Sequence, residues 1–228
     1  MLERLGGCQD GLTRGEKARK IRESLLASAT KVVGQRGYAS AMISEITSRA
    51  GVAQGTFYNY FESRQDLFDQ LLPSIGGEML DYIRQEASGA RTFLEREELS
   101  FRAFFTFLKI RPEFYRIMYE AELFAPAAFN YHVNVVSEGY VRLLDRAAKA
   151  GEIKVTDRSE LEGITYMLMG ARHYLARRFA SRGEPGPSIP DWVVRNYMAL
   201  VTTGLFDGNA AAAPAEPGRG QQAPLRGT

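Results

Sequence analysis

The sequence predicts an all-α fold, on two observations. Strand-type alternation is nearly absent across the 228 residues, and apolar residues recur at helical spacing in one segment after another. The composition supports a packed chain: 45% hydrophobic and 25% charged residues is an ordinary globular balance.

The elements follow in order. From Arg14 to Arg36, Ile21, Leu25, Ala29 and Val32 mark one buried helical face, and Gly37 stands where a helix end favours a left-handed residue. Ile43, Ile46 and Ala50 mark a short second helix with Ser40 as its N-cap, and Gly51 ends it. A third short helix is expected over Gln54 to Phe61. Ser63 and Asp66 form a capping pattern for a fourth helix that buries Leu67, Leu71 and Ile75, with Pro73 and Gly76-Gly77 expected to bend or interrupt it. Phe101, Phe104, Phe105 and Leu108 form a fifth stripe, and Pro112 opens a further helix.

Phe129, Val133, Val136, Tyr140, Leu143 and Ala147 mark a long helix ending near Gly151. Ile164, Met167, Leu168, Ala171, Leu175 and Phe179 mark the next. After a Gly/Pro-rich loop at 182–190, Val193, Val194, Tyr197, Val201 and Leu205 mark the last. The organisation expected is a flexible arm over 1–13, a three-helix head over 14–64, a helical body over 65–206 and a disordered tail over 207–228. The tail has too little apolar side-chain surface to offset its ordering entropy.

Charge and motifs narrow the function classes. Net charge is only +2, but residues 1–64 hold ten Lys or Arg against six Asp or Glu, while the remainder is mildly acidic. A basic head on a near-neutral body fits a polyanion partner. Runs of about 18 apolar residues are missing, the N-terminus lacks a signal-type apolar core, and lone Cys8 cannot form an internal disulfide, so a cytoplasmic protein is expected. No P-loop, dinucleotide fingerprint or nucleophile elbow occurs, and His132 and His173 lack metal-ligand spacing. Neither an enzyme nor a cofactor or metal is expected.

Three helices in about fifty residues, with a glycine turn between the second and third, make a helix-turn-helix arrangement. Val52, Phe57 and Phe61 anchor the third helix, which leaves Gln54, Gly55, Thr56, Tyr58, Asn59 and Tyr60 on its outer side. Residues 17–64, through "GQRGYASAMISEI" and "RAGVAQGTFYNYFESRQDLF", resemble the DNA-binding domain of TetR-type transcriptional regulators. Three departures from that pattern are visible: Thr47 in place of Ala, Ala53 in place of a Ser or Thr cap, and Arg64 in place of Lys.

The resemblance implies double-stranded DNA as partner. It makes Gln54 a base reader, Gly55 a point of close approach, and Thr56 a contact to a thymine methyl or a phosphate. Tyr58, Asn59 and Tyr60 become phosphate and neighbouring-base contacts, with Ser44 and Arg64 as flanking phosphate clamps. Arg14 and Lys17 are expected to add backbone or minor-groove contact.

Specific recognition needs two heads about one DNA turn apart, so a homodimer on a palindromic operator is expected. The resemblance places the dimer face on the last two helices, about 158–181 and 189–206, with Gly163, Gly170, Ala171 and Gly204 allowing close approach and Met167, Tyr174, Tyr197 and Val201 filling the seam.

Residues 93–131 carry eleven of the chain's twenty-four Phe and Tyr. Adjacent Phe104 and Phe105 cannot face one core line, so part of this surface faces a second apolar space or a neighbouring helix, and the cluster as a whole predicts a pocket for a hydrophobic effector. Its expected residues are Phe101, Phe104, Phe105, Arg116, Tyr119, Phe129, His132, Arg172 and His173, an arginine suiting an acid or thioester conjugate. The fold class expected is thus all-α, an N-terminal helix-turn-helix DNA-binding domain plus a C-terminal helical ligand-binding and dimerisation domain. The function expected is a ligand-released repressor; the alternative is a ligand-independent DNA-binding or architectural protein whose aromatic block is only core.

Overall fold

The computed structural model describes residues 13–179 and 188–205. Cys8, most of the N-terminal arm, most of the Gly/Pro-rich loop and the C-terminal tail lie outside them.

Among the described residues the chain is wholly helical. Thr13 caps α1 (Arg14–Arg36) by accepting from Glu16 N–H at 3.3 Å, while the Glu16 carboxylate accepts from Thr13 N–H at 2.7 Å. Gly37, at φ 82°, ends α1, and its N–H donates to the Val33 carbonyl. The second helix, α2 (Ile43–Ala50), begins two residues later than Ser40 would have placed it. Met42 is its N-cap and supplies no side-chain bond, because residues 38–40 are used in a turn around buried Tyr38. Gly51 ends it in the left-handed region at φ 71°.

The third helix, α3 (Gln54–Phe57), is shorter than expected. Tyr58 to Tyr60 continue it as a tightened turn with i to i+3 bonds, Asn59 N–H to Thr56 O and Tyr60 N–H to Phe57 O.

The longest departure from expectation is α4 (Arg64–Glu86), which runs unbroken through Pro73, Gly76 and Gly77. Its cap is Ser63, as expected, accepting from Asp66 N–H; the return bond of the Asp66 carboxylate is to Glu62 N–H, one residue before the cap. Burial of Leu67, Leu71, Leu72, Ile75 and Met79 against four neighbouring helices outweighs the one backbone bond that Pro73 removes. α5 (Phe93–Ile110), α6 (Glu113–Phe124) and α7 (Pro126–Lys149) surround it. Pro112 is the cap of α6 and Pro126 opens α7. α8 (Arg158–Phe179) and α9 (Asp191–Leu205) close the body.

Head and body are joined by more than α4. The C-terminal end of α1 rests on α6, where Lys31 pairs with Glu113 and Tyr38 N–H donates to Glu120 at 2.8 Å. Arg116 donates to the Gln35 carbonyl at 2.6 Å and the Gly34 carbonyl at 3.3 Å. These are carbonyls a helix end leaves open.

The rotation of α8 also differs from its expected stripe. Leu161, Thr165, Leu168, Arg172 and Ala176 face inward, and Met167 is 74% exposed. Of the expected dimer seam, Tyr197 and Val201 are buried within the chain, whereas Met167 and Tyr174 face outward. Tyr166, Trp192 and Leu200 join them on the exposed surface of α8 and α9.

The two helix-packing glycines of opposite character make a paired test. A Cβ at Gly34 would meet Glu113 Cα at 2.9 Å and its side chain closer still, so Gly34→Ala forces α1 from α6 and should cost about 1–3 kcal/mol. A Cβ at Gly77 meets nothing within 4 Å, and Gly77→Ala should stabilise by about 0.5–1 kcal/mol. Urea melts of the two variants should move in opposite directions.

Candidate DNA-binding surface and ligand cavity

The recognition element is held from behind by two buried rings. Phe57 and Phe61 stack with centroids 5.4 Å apart, and Val52 packs against the same core. Gln54, Gly55, Tyr58 and Asn59 are exposed, and Thr56 and Tyr60 half-buried. Tyr58 leans edge-on against Phe57 at 5.3 Å, which fixes the base of a ring that otherwise projects outward. A Cβ at Gly55 would meet nothing, so packing within the chain does not require glycine there. Ala53 precedes α3 without a side-chain cap. Ser44 is exposed in the first turn of α2.

Arg64 is exposed but not loose. It donates to the Ala41 carbonyl at 3.3 Å, two residues before α2, and lies 5.2 Å from the Phe68 ring centroid. Thr47 is buried without cost, because its hydroxyl donates back to the Ile43 carbonyl at 2.9 Å. Arg14 and Lys17 are exposed in the first turn of α1.

The body holds a cavity of about 1070 Å³, partly open to solvent, among α4, α5, α6, α7 and α8. Of the nine residues expected there, Phe104, Phe129, His132, Arg172 and His173 line it. Phe101 and Phe105 do not: both are fully buried, 5.0 Å apart, with Phe101 stacked on Tyr197 at 4.0 Å. The split between Phe104 and Phe105 is the one that adjacency on a helix demands. Tyr119 stands behind the wall, its hydroxyl donating to the His173 carbonyl at 2.8 Å. Arg116 faces the opposite way and is committed to α1.

Arg172 lines the cavity but is not a free anchor. Its guanidinium donates to Glu97 at 2.7 Å, and the two side chains are nine-tenths buried or more. Tyr140 and Tyr197 hydroxyls also donate to Glu97, so one carboxylate gathers α5, α7, α8 and α9. The ring faces of Phe101 and Tyr140 lie 5.5 and 5.3 Å from the Arg172 guanidinium. Burial works against that charge, but Glu97 holds Arg172 protonated more firmly than an ordinary arginine. Desolvation first, and Glu97 next among the groups that oppose ionisation, hold Tyr140 well above its usual range.

Glu97 was not among the expected site residues. The signal was present, since position 97 lies four residues from both Phe93 and Phe101 on a buried stripe, where an acid demands a partner.

His132 faces α4 at Gly76, where an added Cβ would come within 2.5 Å of its ring. The absence of a side chain at 76 is what lets α7 seat there. Burial lowers the His132 imidazole from 6.5 to about 4, so it is neutral at pH 7.

At the far end of the cavity from the head, five arginines line the rim: Arg84, Arg91, Arg96, Arg142 and Arg146. They come from the last turn of α4, the connection into α5 and its first turn, and the C-terminal third of α7.

Residues 25–71 match the family model described as bacterial regulatory proteins, tetR family. Over those residues the chain is a TetR-type DNA-binding domain. It is 26% identical over 135 residues to the fatty acid metabolism regulator protein of Bacillus subtilis (strain 168), covering 57% of this chain and 69% of that protein. It is 28% identical over 117 residues to the transcriptional activator FasR of Mycolicibacterium smegmatis, covering 51% of this chain and 53% of that one. The crystal structure of FadR from Bacillus subtilis in complex with stearoyl-CoA superposes with a TM-score of 0.67 at 18% identity, covering 80% of this chain and 98% of that chain. The chain therefore carries the DNA-binding domain of a TetR-type transcriptional regulator, and the named relatives are regulators rather than enzymes. Among the described residues, no helix is long and apolar enough to cross a membrane.

The neutral imidazole has a pH signature. Unfolded, His132 takes a proton near pH 6.5; folded, it resists until about pH 4. Its contribution to stability is present above pH 6.5 and is lost as pH falls through that window. Between pH 7 and pH 4 the wild type should lose roughly 3 kcal/mol more than His132→Gln in urea melts. Equal losses would refute the assignment.

Proposed function

We propose that this chain is a homodimeric repressor that leaves a palindromic operator when a hydrophobic small molecule, a fatty acyl derivative, fills the cavity of the body. The observation that carries this reading is the joining of an exposed helix-turn-helix face to a body with a cavity at the upper end of the range for ligand sites. In this reading residues 14–64 are the head and 65–206 the effector-binding and dimerisation body. The acyl class is supported by the mostly apolar lining and by the relative whose structure holds stearoyl-CoA.

Gln54 reads a base edge, Gly55 admits close approach, and Thr56, Tyr58, Asn59 and Tyr60 hold phosphates and neighbouring bases. Ser44, exposed in the first turn of α2, and Arg64, held on the Ala41 carbonyl, clamp the DNA backbone. The cavity residues in this role are Phe104, Phe129, His132, Arg172 and His173. The aromatic block is partly plain core, as the ligand-independent alternative holds for all of it, but a core alone leaves a space this large without purpose.

Release follows from two-state coupling. An effector that favours the non-binding head spacing by about 1.4 kcal/mol lowers operator affinity tenfold. Leu67 and Leu71 carry α4 against the head, and α6 grips α1, so displacement of either wall helix reaches the recognition element.

Selection of bound duplexes from a random pool should return a palindrome with half-sites about one helical turn apart. On that operator Gln54→Ala should weaken binding by about 1–3 kcal/mol and relax preference at one position per half-site; recovery of non-palindromic sites, or an unchanged Gln54→Ala affinity, would contradict the reading.

The dimer face assigned here is the outer surface of α8 and α9, where Met167, Tyr174 and Leu200 are exposed and Gly163 and Gly204 leave open space. Leu200 is 74% exposed, so Leu200→Glu should leave the folded chain's stability nearly unchanged while shifting sedimentation from dimer to monomer. A monomeric wild type, or a variant that stays dimeric, counts against this face.

A further inference from the structure

We infer that the arginine rim of the cavity is a binding site for the phosphate-bearing head of an acyl conjugate, whose chain occupies the apolar space beneath it. The inference rests on the effector reading above and adds the chemistry of the head and its direction.

Inside the cavity the cation nearest the apolar wall, Arg172, is already neutralised by Glu97, and His132 is uncharged. A free carboxylate entering head-first would be buried without a counter-charge, which is costly. Arg172 keeps one unpartnered donor, its buried Nε–H, but no spare charge; among the described residues that line the cavity, the unpaired cations stand at the rim. Among the described residues Arg91, Arg96 and Arg146 make no ion pair; Arg96 and Arg146 donate only to the carbonyls of Ala90 and Arg142, at 3.4 and 3.3 Å. Arg84 and Arg142 pair with Asp81 and Glu138, which are themselves mostly exposed, so those pairs are weak and exchangeable.

One acid lines this rim, Glu152, and its carboxylate is engaged with the Phe93 N–H at 2.6 Å. Five guanidiniums against Glu152 and the two exposed partners Asp81 and Glu138 leave an excess of two positive charges at the opening. Guanidiniums match phosphate oxygens in pairs, which favours a phosphorylated head over a single carboxylate.

Length agrees. His132 and Arg146 stand about 21 Å apart along α7 at 1.5 Å per residue, a span suited to a long acyl chain with its head at the rim. The head therefore lies at the C-terminal end of α4, remote from the DNA-binding domain at the N-terminal end of the same helix.

Such a head could come from a nucleotide thioester or from a lysophospholipid, and both are tested. Calorimetry on the full-length protein would compare lauroyl-CoA, 1-lauroyl lysophosphatidate, laurate and methyl laurate, with operator release followed in parallel by fluorescence anisotropy. The wild type and an Arg91→Glu/Arg146→Glu double variant would both be titrated. At least one phosphate-bearing ligand should bind the wild type about tenfold or more tightly than methyl laurate and laurate. That advantage should disappear in the double variant while methyl laurate affinity stays the same. Which phosphate ligand binds tighter identifies the source of the head, and either result supports the site.

Laurate binding as tightly as both phosphate ligands, or an advantage that survives the double variant, would overturn the inference while leaving the effector reading intact. Failure of all four ligands to bind would remove both. The rim arginines are exposed or half-exposed, so the variants should fold, and an Arg91→Gln/Arg146→Gln pair showing an intermediate loss would exclude mere repulsion by the introduced acids.

Discussion

The ion pair between Glu97 and Arg172 orders the body of this molecule. Two opposite charges buried on α5 and α8 are costly alone, and together they gain little over an apolar pair of the same shape. What they supply is registry. Glu97 also accepts from Tyr140 and Tyr197, so α7 and α9 are placed relative to the same carboxylate. The rotation of α8 follows: Arg172 must point inward, so Met167 must point out. An inner helix wall, an outer apolar face and an interior without spare charge are three consequences of one contact.

The same reasoning explains how much of the chain was readable. The all-helical class, the glycine-ended turn before α3 and the anchoring roles of Phe57 and Phe61 were legible because they rest on local periodicity and on backbone conformations that only some residues accept. The breaks expected at Pro73 and Gly76 were not legible, because burial of α4 on four neighbours overrides local propensity. Arg116 illustrates the harder limit. Its charge was visible, but its destination on the carbonyls of α1 depends on a contact eighty residues away. Glu97 and the rim arginines likewise acquire meaning only when four or five helices are brought together.

Helix α6 connects the head to the cavity. Phe114 and Met118 look into the cavity, while Arg116 and Glu120 hold the end of α1. A two-residue offset turns a helix by about 200°, so the two pairs stand on opposite faces of one short rod. Gly34 permits the close contact on the head side, and the half-buried ring of Tyr115, tilted against Tyr119, backs the other. A short helix gripped on both sides has little freedom to absorb displacement internally and passes it on.

The unbroken run of α4 past Pro73 has a mechanical corollary. Proline cannot donate to Asp69, so the ladder lacks one rung between the turn that supports the DNA-binding head and the turn that seats the imidazole ring on Gly76. A rod with one missing rung flexes most cheaply at that point. The compliance of this lever is thereby concentrated at a fulcrum, and a small tilt there is magnified in proportion to the arm that lies beyond it.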